Sequence, residues 1–166
     1  AANTTYGYSV KAFDAAGNYS GASNSVQVTT PTAPGTSSCT PASGAFTGCY
    51  YSNADLSGTP VLIRTDSQIN FDWWYSTPSN AVPANNFSVR WQGNFYFDEG
   101  TYTFSAMTSD GMRIYVDGYL ILDRWRDQAV NMYTIRPMLT QGNHLVTVEY
   151  YERTGTGTAL LNWVKN

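Results

Sequence analysis

The residues best suited to chemistry fall in one stretch, "MTSDGMRIYVDGYLILDRW" (Met107 to Trp125), where Asp110, Asp117 and Asp123 sit at the ends or the turn of two apolar, β-branched runs. Carboxylates so placed either shape turns or hold an ion and a ligand. Glycosidase chemistry would need two carboxylates facing one cleft about 5 to 10 Å apart. Asp98 and Glu99 are adjacent before Gly100, project in different directions and suit a solvated turn. The sequence has no nucleophile elbow, phosphate loop or HExxH motif, and its single His144 opens a strand beside "QGN". No catalytic residue is assigned, and the chain reads as an accessory domain rather than an enzyme.

The elements that must position these groups are short strands. "VDGY" is a two-residue Asp-Gly hairpin turn between "RIY" and "LIL", so Asp117 shapes backbone. Turn signals divide the rest into strands at Thr47 to Ser52, Pro60 to Arg64, Gln68 to Asp72, Phe87 to Phe97, Gly100 to Thr108, Met112 to Val116, Tyr119 to Asp123, Val130 to Pro137, Gly142 to Tyr151 and Thr158 to Val164. No helical period of useful length occurs, which predicts an all-β sandwich or barrel. "FDWWYSTP" sets Trp73, Trp74 and Tyr75 together, and alternation cannot bury all three on one face. Two packings are compatible: both tryptophans lie under the loop from Ser76 to Asn86, or Trp74 is exposed and stacks on a sugar ring. Trp91 and Trp163 suit the core.

Composition narrows the partners. Only 13% of the 166 residues are charged while 15% are aromatic, a profile that suits a secreted all-β protein with Tyr and Trp in core, surface or carbohydrate-stacking positions. A net charge of −3 without a Lys/Arg run argues against nucleic acid and anionic membranes, and apolar runs of a few residues cannot form a membrane-spanning helix. Cys39 and Cys49, in "SSCTPASGAFTGCYY", are either two buried thiols or a disulfide, which would place the chain in an oxidising, extracellular or surface compartment and add roughly 2 to 3 kcal/mol by loop entropy. Two Cys and one His are too few for a structural zinc.

Residues 1–30 contain "TYGYSVKAFDAAGNYSGASNSVQVTT", an alternating run, a Gly/Asn loop and a second short run. This resembles the last two strands of a fibronectin type III domain, and implies that the rest of that domain lies outside this chain. A lone pair of strands is marginal in water, and unpaired strand edges recruit partners. The expectation is therefore that the segment is unstructured by itself or self-associates by strand exchange. Residues 31–40, "PTAPGTSSCT", read as a Pro/Ser-rich linker, and 41–166 as the second domain.

In that domain "GCYYSNADLSGTPVLIRTDSQINFDW", "NFSVRWQGNFYFDEGTYTFSAMTSDGMRIYVDGYLILDRW" and "GNHLVTVEYYERTGTGTALLNW" resemble, in order and spacing, the successive blocks of the PA-fourteen, protective-antigen-type family. The resemblance implies a jelly-roll-like antiparallel β-sandwich found in secreted glycosidases, adhesins and toxins. Members with lectin activity grip calcium with two consecutive aspartates and hold a terminal sugar through it. Here Ser109 takes the first aspartate's place and Asp110 the second, which removes one charge from the ligand set. The second loop of the family maps to Glu152, Arg153 and Thr154. Two occupancies follow: calcium on Asp110, or Arg153 reaching Asp110 in a salt bridge that replaces the ion. Asp123 is implied to cap a loop and Trp125 to pack, with Arg126 and Asp127 solvated. The functional expectation is a glycan-binding module of a multidomain surface protein, whose parent could be a glycoside hydrolase. The alternative is a structural or adhesive filament element without a sugar ligand.

Overall fold

The structure, a computed structural model, describes residues 5–29 and 39–166. Most of the expected linker, residues 31–38, lies outside them. The chain divides into two compact units, residues 1–37 and 38–166.

In the first unit β1 (Thr5–Tyr8) pairs antiparallel with β2 (Val26–Thr29), Tyr8 opposite Val26. Between them, Asp14 Oδ1 accepts the amides of Ala16 and Asn18, each at 2.9 Å, which makes the turn foreseen at "DAAGN".

The second unit runs, among the described residues, through β3 (Ala42–Ser43), β4 (Phe46–Tyr51), β5 (Leu62–Asp66), β6 (Ile69–Trp74), β7 (Phe87–Phe97), β8 (Gly100–Thr108), β9 (Gly111–Val116), β10 (Tyr119–Arg124), β11 (Asn131–Ile135), β12 (Met138–Leu139), β13 (Gly142–Glu152) and β14 (Gly157–Lys165). One sheet has the order β10-β9-β13-β7-β4-β5, with β3 added on β7; the other has β11-β8-β14-β6, with β12 added on β8. All pairings are antiparallel except the short β3 against β7. This is the expected antiparallel sandwich. The single strand expected over Val130 to Pro137 is instead β11 and β12, because Pro137 has no N–H to continue a ladder; its carbonyl turns to the amide of Tyr102 at 3.0 Å.

Alternation builds the core. Tyr102, Phe104 and Ala106 on β8 point inward, as do Val146, Val148 and Tyr150 on β13. At the centre, Trp91 is fully buried and lies parallel to Phe71 and Trp73, with ring centroids 5.6 and 6.5 Å away. Its indole N–H and the Tyr50 hydroxyl both reach Asp66 Oδ2, at 2.8 and 2.7 Å, while Arg64 reaches Oδ1 at 2.6 Å. A buried carboxylate is tolerable there because it is paired and hydrogen-bonded on both oxygens. Cys39 and Cys49 form a disulfide, in keeping with an oxidising compartment.

Asp117 occupies the hairpin turn at φ 51° and does more than shape it. Its Oδ2 lies 2.5 Å from His144 Nδ1, its Oδ1 accepts the Leu145 amide at 2.8 Å, and His144 Nε2 meets the carbonyl of Thr140 at 2.9 Å. Burial of the ring opposes its charge, yet the Thr140 carbonyl and the Asp117 carboxylate outweigh burial and raise its pKa above the ordinary 6.5. With the folded value raised, the pair's contribution to stability is fully present below the unfolded value and is lost as pH rises through the folded one. Urea midpoints measured across that window are expected to fall with rising pH. Asp117→Asn, which keeps the turn and an amide acceptor, is expected to flatten the profile.

Candidate functional site

The candidate residues gather at one end of the sandwich, where β8 turns into β9 and β13 into β14. Asp110 sits in that first turn at φ 46°, a left-handed conformation for which Asp and Asn are the least unsuitable side-chain-bearing residues. Two bonds hold its backbone there: its amide donates to the Gln128 carbonyl at 2.8 Å, and Gln128 Nε2 donates to its own carbonyl at 2.8 Å. The next residue must be glycine, since a Cβ at Gly111 would collide with the ring of Tyr151.

The Asp110 carboxylate is buried among backbone amides. Oδ2 accepts from Arg153 N at 2.7 Å and Thr154 N at 3.4 Å, and Oδ1 accepts from Gln128 N at 3.3 Å. It thereby joins the β8–β9 turn to the β10–β11 loop and to the β13–β14 loop. The β6–β7 loop is tied in as well, through Asn86 N to the Arg153 carbonyl (3.2 Å) and Gly155 N to Asn85 Oδ1 (3.2 Å).

Ser109 is equally committed. Its Oγ accepts the Thr158 amide at 2.9 Å and lies 2.6 Å from the Thr156 carbonyl and 3.2 Å from Glu152 Oε2, so its one proton serves either oxygen. Glu152 is 1% exposed. The Tyr150 hydroxyl donates to its Oε2 at 2.9 Å, whereas Oε1 is buried without a partner. Burial first, with the nearby Asp110 charge adding to it against the Tyr150 bond, pushes the Glu152 carboxyl up to about 7.

Arg153 does not fill the place opposite Asp110 with its side chain, and the proposed salt bridge is replaced by a backbone contact. The guanidinium turns outward to Asp127 Oδ1 at 3.2 Å and over the Tyr151 ring. The reason lies in alternation after β13: once the Arg153 amide is spent on Asp110, its side chain is on the solvent side. Asp127 is therefore not merely solvated, since it also accepts the Tyr151 hydroxyl at 2.6 Å. Asp123 caps its loop as expected, accepting the Trp125 amide at 3.2 Å, and Trp125 packs edge-on against Tyr151.

An open cleft of about 500 Å³ is lined by Tyr75, Ser109, Asp110, Gln128, Val130 and Thr154 to Thr156, among others. A second, of about 200 Å³, adjoins it through Val130 and Thr156 and is walled by Trp74, Asp72, Met107 and Thr158. The tryptophan pair divides: Ile69, Phe71 and Trp73 face the core from β6, and Trp74 faces out, 65% exposed. Trp74 pairs with Gly157 and Asp72 with Thr158, so Trp73 is the extra residue of a bulge. Glu152 lines neither cleft. Gln128 was not singled out from the sequence, and Tyr75 was named only as part of the aromatic run and not as a ligand contact. Gln128 carries no local signal at all, while alternation, which leaves one aromatic of the run exposed, applies equally to Tyr75.

The PA14 domain profile matches residues 41–166. A curated relative, the anti-sigma-I factor RsgI3 of Acetivibrio thermocellus, is 36% identical over 119 residues, covering 70% of this chain and 18% of that protein. The chain thus spans less than a fifth of that relative's length. A solved anti-sigma factor domain-containing protein superposes with a TM-score of 0.67 at 33% identity, over 73% of this chain and 43% of that one. A structure described as a PA14 sugar-binding domain from an RTX adhesin shares the fold, with a TM-score of 0.59 at 20% identity over 75% of this chain and 91% of that one.

The raised Glu152 value gives a pH signature. Because the folded state holds that proton more tightly than the unfolded one, the contribution to stability is fully present below the ordinary 4.5 and is lost as pH rises to about 7. Glu152→Gln, which carries the Tyr150 and Ser109 contacts on a neutral group, is expected to remove that slope from the pH profile of the denaturation midpoint. An unchanged slope would show that the fold does not raise the Glu152 carboxyl above its ordinary value.

Proposed function

The chain belongs to the PA14 domain family, and we propose that it is a non-catalytic carbohydrate-binding module of a secreted or cell-surface multidomain protein. The observation that carries this reading is the pair of adjoining clefts with Tyr75 and Trp74 at their edges, 74% and 65% exposed. Flat aromatic faces match the C–H faces of pyranose rings, and the hydroxyl and amide groups of Thr154, Thr156 and Gln128 offer donors and acceptors to sugar hydroxyls. The larger cleft has the volume usual for small-molecule sites. With its neighbour it favours an oligosaccharide segment of more than one ring. The sugar-binding description of the adhesin domain supports the same ligand class.

The parent protein is a separate matter. The relatives named as anti-sigma factors extend the candidates from glycoside hydrolases to regulatory proteins, in which sugar capture would serve as an input. The disulfide suits a domain on the outer side of such a protein.

A second reading, self-association through the first unit, is favoured by β1 and β2. Tyr8 and Val26 face each other across the pair, Val28 shares their face, and all three are exposed. Light scattering of the chain against a truncation starting at residue 39 tests it: concentration-dependent mass only in the longer form supports association, and equal monomeric mass rules it out.

For the sugar reading, retention in polysaccharide-containing native gels, followed by a glycan array, is the direct measurement. Trp74→Ala and Tyr75→Ala are each expected to weaken binding about tenfold or more, as truncation of an exposed aromatic anchor does. Undiminished retention in both variants would sink the proposed cleft.

A further inference from the structure

The family resemblance implies calcium at Asp110, and the residues present do not fit it. Calcium takes about six to eight oxygen ligands, whereas both oxygens of Asp110 face N–H groups, from Arg153, Thr154 and Gln128. The positive ends of those amide dipoles point to where a cation would have to sit. Ser109 supplies no second carboxylate, and its hydroxyl is already bound to Thr158, Thr156 and Glu152. Glu152 is buried and does not line the cleft, and the other nearby carboxylate, Asp127, is turned to the Arg153 guanidinium and the Tyr151 hydroxyl. Among the described residues no three His, Cys, Asp or Glu side chains converge in a way that could hold a metal ion.

We propose that in this chain Asp110 is a loop latch that works without calcium: its carboxylate and backbone gather the 125–130 and 153–156 loops directly, so that the cleft is formed in the absence of a divalent ion. An anion surrounded by amides is a strong arrangement, because charge-assisted hydrogen bonds are about twice as strong as neutral ones. The same bonds give the loop amides of Arg153, Thr154 and Gln128 an acceptor outside any strand ladder. Asp110 is on this account a positioning residue. Any sugar held by Tyr75, Trp74 and the threonines is then captured without an ion, a corollary that rests on the carbohydrate reading.

Thermal unfolding of the full chain in millimolar calcium and in EDTA tests the latch without reference to any sugar. The melting temperature is expected to differ by less than about 2 °C between the two. Asp110→Asn is expected to lower it by about 4 °C or more, equally in both buffers. A calcium-dependent rise in the wild-type chain that Asp110→Asn abolishes would overturn the proposal, as would an Asp110→Asn variant as stable as wild type in EDTA. Should the variant not fold, the wild-type comparison alone decides. Polysaccharide retention run in the same two buffers separates the two readings: retention lost only in EDTA overturns the ion-free latch, while absence of retention in both defeats the carbohydrate reading and leaves the melting data to judge the latch.

Discussion

A single buried carboxylate organises the functional end of this domain. Loops at the end of a sandwich expose backbone amides that have no ladder partner, and once buried each must find an acceptor. Asp110 provides it for three of them, from two different loops, while its own amide and carbonyl bind Gln128. The left-handed turn at Asp110 aims the carboxylate between those loops, and Gly111 lets Tyr151 pack flush behind it. Of the residues that line the cleft, Gln128 and Thr154 are held directly by this anchor.

The sandwich beneath supplies the rigid base from which the anchor works. Parallel rings of Phe71, Trp73 and Trp91 fill the space between the sheets, and the polar edges of Trp91 and Tyr50 are answered by Asp66. Dense aromatic packing of this kind tolerates few alternative arrangements. The strands that leave it, β6, β8, β13 and β14, therefore deliver Trp74, Ser109, Glu152 and Thr158 to fixed places. The aromatic residues divide their labour by alternation alone: odd positions of β6 build the core, and Trp74 is left to meet solvent or a ligand.

Buried charge at this end is handled in two ways. Asp110 is ringed by donors, whereas Glu152 has one oxygen with no partner and its carboxyl is pushed up to about 7, chiefly by burial. Ser109, standing between them, is small enough to bond both the β14 backbone and Glu152, and an aspartate there would add a third carboxylate to the cluster.

The sequence by itself determined most of the strands, the family and the turn at Asp117, because period-two alternation, Asp-Gly turns and block spacing are local properties of the chain; the break at Pro137 was the exception. It also marked Asp110 as the residue to watch. Its other errors lie where partners come from distant segments. That Arg153 offers Asp110 an amide and not a guanidinium, that Gln128 closes the turn, and that His144 pairs with Asp117 are decided by loop geometry across separations of 18 to 43 residues. The choice between Trp73 and Trp74 followed a bulge whose register β14 sets. Hydrogen-bond direction and burial depend on three-dimensional approach, and only the tertiary structure supplies them.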